Sequence, residues 1–176
     1  MEKRIVFITG GCRSGKSRYA LDYANRNFLR RLYLATCEPL DEEMAQRIEN
    51  HRRMRGPEWQ VVEEPISITD RIREHGSRVE IILLDCVTLW LSNLLMRKKS
   101  DAEIMDEVNR LIDAIRQCQA SLLLVSNEVG MGIVPADPLA RRFRDLSGMA
   151  NQRIAEGADT VIHMVSGIPL FLKGAE

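Results

Sequence analysis

Eight residues near the start of the chain, GGCRSGKS from Gly10 to Ser17, fit the spacing GxxxxGK[ST] that cradles nucleotide phosphates. Gly10 and Gly15 carry no side chain to block the approach, so backbone N–H groups can turn inward around phosphate oxygens. Gly11, Cys12, Arg13 and Ser14 complete the loop. Lys16 supplies a point charge for the β and γ phosphates. Ser17 offers a hydroxyl to Mg²⁺ at the start of a helix whose N-terminus favours anions. Arg13 either adds a second cation near the phosphates or stays in solvent, and Cys12 fills a small space.

Two further strand ends carry groups that could join this chemistry. Asp85 follows the apolar run IILL and would project toward the phosphate loop, where a carboxylate holds the Mg²⁺ shell. The stretch NEVGMGIVP leaves Asn127 and Glu128 after another apolar run, followed by Gly130, Gly132 and Pro135. Such a loop either positions a substrate or simply turns the chain. Of three histidines, His75 precedes Gly76 and reads as a helix end, and His163 reads as a packed strand residue. His51 stands one helical turn beyond Ile48 and two beyond Met44, near an inner helix face, with Arg52, Arg53 and Arg55 beside it. Taken alone, a histidine there is usually structural. The arginines are either a phosphate clamp or an ordinary basic helix end.

These residues need a frame to hold them. IVFI at 5–8 is a short β-branched run that stops at Thr9 and glycine, as a buried strand would, and the pattern turns helical from Ser17 to about Phe28. RLYLAT forms a second strand. The segment PLDEEMAQRIENHRRMR has acids in its first turn and bases in its last, the polarity that a helix dipole favours. EIILLD, SLLLVS and TVIHMV are further strands, with a last short one in IPLFLK. In DAEIMDEVNRLIDAIRQC, Ile104, Val108, Leu111, Ile112, Ile115 and Cys118 recur at steps of three and four, so one helix face is buried. Residues 137 to 157 read the same way, and RKKSD at 97–101 is a loop. The stretch from Pro57 to Ser77 has no clear period. Continuous apolar strands alternating with amphipathic helices predict an α/β fold, a mainly parallel sheet covered on both faces, with ligands at the carboxyl ends of its strands.

Composition bounds the rest. A chain of 176 residues that is 45% hydrophobic buries one sizeable core, and one domain spanning 1–176 is expected. Lys plus Arg and Asp plus Glu are 25 each, which leaves no global field for nucleic acid or an anionic membrane. Cys12, Cys37, Cys86 and Cys118 show no metal or redox spacing, so reduced thiols in a cytoplasmic protein are expected. No segment reads as a signal peptide or a membrane span.

ITGGCRSGKSRYA, YLATCEPLDEEMAQRIENHRRMRGPEW, LLDCVTLWLSNLL and SNEVGMGIVPADPLARRFRDLSGMANQRIA together resemble the bifunctional adenosylcobinamide kinase and adenosylcobinamide-phosphate guanylyltransferase family of cobalamin biosynthesis. The resemblance covers nearly the whole chain. It implies a RecA-like P-loop fold, a homotrimer and two reactions: phosphorylation of adenosylcobinamide by ATP or GTP, then transfer of GMP from GTP to that phosphate. The second passes through a GMP-histidine intermediate, which falls on His51. The implied nucleotide contacts fall on Gly10 to Ser17, on Ala35, Thr36 and Cys37, on Arg52, Arg53, Met54 and Arg55, and on Glu63 and Asp85. Relatives often have Ala in place of Cys12 and Ser in place of Cys37. Neither difference removes a charge or a nucleophile. With the resemblance, His51 becomes a nucleophile toward phosphorus, and the arginines hold an α-phosphate whose charge is developing. A kinase without guanylyl transfer, a nucleotide-binding switch and a nucleic-acid motor are the competing expectations. The motor fits least, because the chain is short and neutral.

Overall fold

The computed structural model describes residues 2–38, 42 and 56–174. His51 and Arg52 to Arg55, together with most of the helix expected around them, lie outside the described residues.

Among the described residues the strands are β1 (Ile5–Gly10), β2 (Arg31–Ala35), β3 (Trp59–Glu63), β4 (Ile81–Asp85), β5 (Ser121–Val125), β6 (Thr160–Val165) and β7 (Ile168–Lys173). The helices are α1 (Lys16–Asn27), α2 (Ile68–His75), α3 (Val87–Met96), α4 (Asp101–Gln117) and α5 (Pro138–Gly157). The strands form one sheet in the order β3-β2-β4-β5-β1-β6-β7, parallel except for the β6–β7 hairpin.

The continuous apolar runs are explained by the two faces of the sheet. Phe7, Leu32, Leu34, Ile82, Leu84, Leu122 and Leu124 pack with α2, α3, α4 and α5 on one side. Their alternates Val6, Ile8, Tyr33, Ile81, Leu83, Leu123 and Val125 pack with Ala20, Leu21 and Ala24 of α1 on the other. Side chains of a strand alternate between faces, so a strand covered twice must be apolar at every position. Trp90 of α3 is fully buried, and its Nε1–H donates to the Ile66 carbonyl at 2.8 Å, which pins the β3–α2 connection to the core.

Helix ends follow their local chemistry. Ser100 and Glu103 form a reciprocal capping box at α4, so the 97–101 loop ends one residue earlier than expected, and Asp137 with Pro138 opens α5. In α4, Ile104, Val108, Leu111 and Ile115 are buried as the period predicts, while Ile112 and Cys118 are only partly so. The segment from Pro57 to Ser77 contains a strand and a helix, β3 and α2. His75 does end a helix, but its side chain is buried rather than set out as a surface cation.

Candidate active site at the carboxyl ends of the strands

The residues of GGCRSGKS form the turn from β1 into α1. Gly10 has φ +146°, and a Cβ there would stand 2.5 Å from the Met164 carbonyl oxygen and 2.8 Å from Ser14 Oγ. No residue with a side chain fits. Gly15, at φ +97°, caps α1 in the left-handed region, where glycine avoids the steric cost. The loop also leans on the β6–β7 hairpin: Ser166 and Gly167 both have positive φ, and the Gly167 N–H donates to the Ser14 carbonyl at 3.0 Å.

Lys16 is the first residue of α1, and only 7% of it is exposed. Its Nζ donates to the Gly11 carbonyl at 2.5 Å and to Ser14 Oγ at 3.4 Å, so the ammonium lies inside the curve of the loop. Burial lowers its pKa, against the pull of the Asp85 carboxylate, which favours the charged form. Ser17 follows on the same turn and is partly exposed. Cys12 and Arg13 are exposed at the tip of the loop.

Across the sheet, Glu63, Ala35, Asp85 and Val125 stand in register in β3, β2, β4 and β5, one row along the carboxyl edge. Asp85 thus stands at the edge that bears the loop, and its charge reaches both Lys16 and Cys86. The Tyr33 hydroxyl donates to Asp85 Oδ2 at 2.9 Å and orients the carboxylate. Cys86, next in the chain, is a buried thiol pushed up to about 12 by burial and by Asp85. It therefore stays protonated and is no nucleophile.

Thr36 is fully buried and serves as a clamp. Its hydroxyl donates to the Cys86 carbonyl at 2.7 Å and accepts from the Cys86 N–H at 2.8 Å, while Asn93 Nδ2 holds the Thr36 carbonyl at 2.8 Å. These bonds tie the end of β2 to the end of β4 and so fix the spacing of Ala35 and Asp85. Cys37 and Glu63 flank this edge, partly exposed and exposed respectively. His163 is half-buried on β6, with its Nδ1 3.0 Å from Thr9 Oγ1, one residue before the loop.

The structure therefore gathers Gly10 to Ser17, Ala35 to Cys37, Glu63 and Asp85 on one edge. Sequence reasoning missed Tyr33, Thr36 as a clamp, and the Ser166–Gly167 turn. The Ser-Gly pair between TVIHMV and IPLFLK was the available signal for the turn. A glycine-bearing turn with one buried ammonium inside its curve, beside a strand-end carboxylate, is equipped to bind a polyphosphate and stabilise charge moving across it.

A family model described as cobinamide kinase / cobinamide phosphate guanyltransferase matches residues 6–172. The bifunctional adenosylcobalamin biosynthesis protein CobU of Escherichia coli (strain K12) is 41% identical over 181 residues, covering 96% of this chain and 99% of that protein. The bifunctional adenosylcobalamin biosynthesis protein CobP of Pseudomonas aeruginosa is 40% identical, covering 95% and 96%. Among solved structures, a prototypical ATPase from the type III secretion system of pathogenic bacteria superposes with a TM-score of 0.55 at 11% identity, covering 91% of this chain and 50% of that one. The RadB recombinase superposes with a TM-score of 0.53 at 13% identity, covering 91% and 73%. At such identities the likeness shows the fold alone, which is the RecA-like P-loop fold.

Proposed function

The chain belongs to the cobinamide kinase / cobinamide phosphate guanyltransferase family, and from that premise we propose that it carries out both reactions on adenosylcobinamide. In the first, the alcohol oxygen of the corrinoid side chain attacks the γ-phosphorus of ATP or GTP, and the nucleoside diphosphate leaves. In the second, GMP is joined to the new phosphate and pyrophosphate leaves. The observation that supports this best is the convergence of the phosphate loop, Lys16 and Asp85 on one sheet edge in a family member matched over nearly its whole length.

Lys16 would meet the β and γ phosphates, and the loop amides would hold their remaining oxygens. The Ser17 hydroxyl and the Asp85 carboxylate are hard oxygen donors suited to Mg²⁺, with Asp85 already oriented by Tyr33. Mg²⁺ held there would neutralise the negative charge that develops on the phosphates. His51 would receive GMP, with Arg52, Arg53 and Arg55 holding the α-phosphate, on the strength of the family resemblance. A homotrimer is proposed on the same ground. Among the described residues no helix is long and apolar enough to cross a membrane.

Incubation with adenosylcobinamide, GTP and Mg²⁺, followed by mass analysis of the corrinoid, tests the proposal. The expected product carries a GDP moiety. Phosphorylated cobinamide alone would leave a kinase without guanylyl transfer, and unaltered corrinoid would defeat the proposal. Asp85→Asn, which keeps shape but removes charge, should lower the rate about tenfold or more and raise the Mg²⁺ concentration needed for half-maximal rate. An unchanged Mg²⁺ titration would make Asp85 a structural strand end.

A further inference from the structure

Glu128 lies just beyond β5, the strand between Asp85's strand and the one that leads into the phosphate loop. The chain there is held far more firmly than a surface turn requires. The pairing of β5 with β1 continues past the strand ends: the Ser126 N–H donates to the Ile8 carbonyl at 2.9 Å, and the Glu128 N–H donates to the Gly10 carbonyl at 3.0 Å. Glu128 is thus bonded to the first residue of the phosphate loop.

A closed circuit of side chains fixes the residue before it. The Asn127 N–H donates to Thr88 Oγ1 at 2.6 Å, and Ser126 Oγ donates to Asn151 Oδ1 at 2.7 Å. The Ser126 proton being engaged, the Thr88 hydroxyl donates to Ser126 Oγ, 3.0 Å away. Asn151 Nδ2 then returns a bond to the Asn127 carbonyl at 3.3 Å. The ring begins at one end of the Asn127 peptide and finishes at the other, through three buried polar side chains from α3, β5's end and α5. Buried polar groups joined in this way rigidify the backbone they serve.

The carboxylate itself is aimed. Oε1 accepts the Gly130 N–H at 2.8 Å, and a Cβ on Gly130 would crowd that oxygen at 3.1 Å. Oε2 has no partner among the described residues, and the residue is only half-buried. The carboxylate of a half-buried residue is therefore held on a rigid backbone that is bonded to the first residue of the phosphate loop. Beyond it Met131 and Ile133 are 81% and 96% exposed.

We propose that Glu128 accepts the proton of the acceptor hydroxyl in the phosphorylation step, an inference that rests on the kinase reading above. As the alcohol oxygen forms its bond to the γ-phosphorus, the bond from that phosphorus to the β-bridging oxygen breaks, the O–H proton passes to Oε2, and the nucleoside diphosphate leaves with the electron pair. An alcohol needs such a base at neutral pH, and a positioned one contributes about a hundredfold or more. The second reaction does not need it, because its acceptor is a phosphate monoester, largely ionised above a pKa of about 6.

Glu128→Gln keeps an oxygen for the Gly130 N–H and removes only the basicity. With wild type and variant assayed side by side, the variant should lose about a hundredfold in kcat for phosphorylating adenosylcobinamide. Its rate for converting adenosylcobinamide phosphate and GTP should fall much less, so that the ratio of the two rates shifts by about thirtyfold or more. Nucleotide affinity by calorimetry and the melting temperature should stay close to wild type. A kcat within about threefold of wild type, an equal loss in both reactions, or a matching loss of nucleotide affinity would overturn the role of Glu128. A wild-type enzyme that forms no phosphorylated corrinoid would instead defeat the kinase reading itself.

Discussion

Lys16→Met removes the ammonium and keeps most of the aliphatic stem, and both reactions should fall by about a hundredfold or more, a few kcal/mol of transition-state stabilisation. The same substitution should make the nucleotide-free protein more stable. Lys16 is buried, burial lowers its pKa, and the nearby Asp85 only partly offsets that cost. The sign follows from proton linkage. With the folded pKa below the ordinary lysine value, the unfolded chain binds more protons between the two, so wild-type stability rises with pH through that window. Below it the charged lysine carries its full penalty, and Lys16→Met should melt a few degrees higher, the gap narrowing as pH approaches the ordinary lysine range. Initial rates and melting curves on the same preparations check both halves. Retained kinase activity in a folded Lys16→Met protein would refute the loop's assignment, and a lower melting point would refute the electrostatic account.

His51→Ala is expected to separate the two reactions. Wild-type protein incubated with GTP labelled at the α-phosphate should acquire a label that survives denaturation and is lost in acid, because a phosphoramidate protonates on nitrogen and then has a good leaving group. The variant should take up no label and make no GDP-cobinamide, a loss as large as the assay can follow. It should still phosphorylate adenosylcobinamide, a step that needs the phosphate loop, the metal and the acceptor hydroxyl. Label on the His51→Ala protein would assign the nucleophile to another residue.

The strands that build the catalytic edge were legible because two covered faces force an unbroken apolar run. Val6 and Ile8 serve one face and Phe7 the other, and IILL before Asp85 does the same. The loop was legible because glycine, lysine and serine at fixed spacing serve one chemistry. β3 was not. It is an edge strand with Trp59 buried but Gln60, Val61 and Glu63 exposed, so neither alternation nor a continuous run marks it. Periodicity also cannot register partners that meet only through folding. Tyr33 reaches Asp85 across 52 residues, Thr36 reaches Cys86 across 50, and Asn151 reaches Ser126 across 25. His51 and its arginines lie outside the described residues, and the roles proposed for them rest on the family resemblance, since a histidine beside arginines has several uses.

The position of β1 has a consequence for how the molecule is made. Val6 pairs with Leu123 on one side and Thr160 on the other, and the turn that braces Ser14 comes later still, at Gly167. At synthesis rates of about 5–20 residues per second, roughly eight to thirty seconds separate the emergence of the phosphate loop from that of its last supports. Until β5 emerges the first strand has neither of its neighbours, and until β6 follows it has only one. The brace on Ser14 therefore arrives late, together with the closing hairpin, and a chain that stops short of it leaves the phosphate loop without that support.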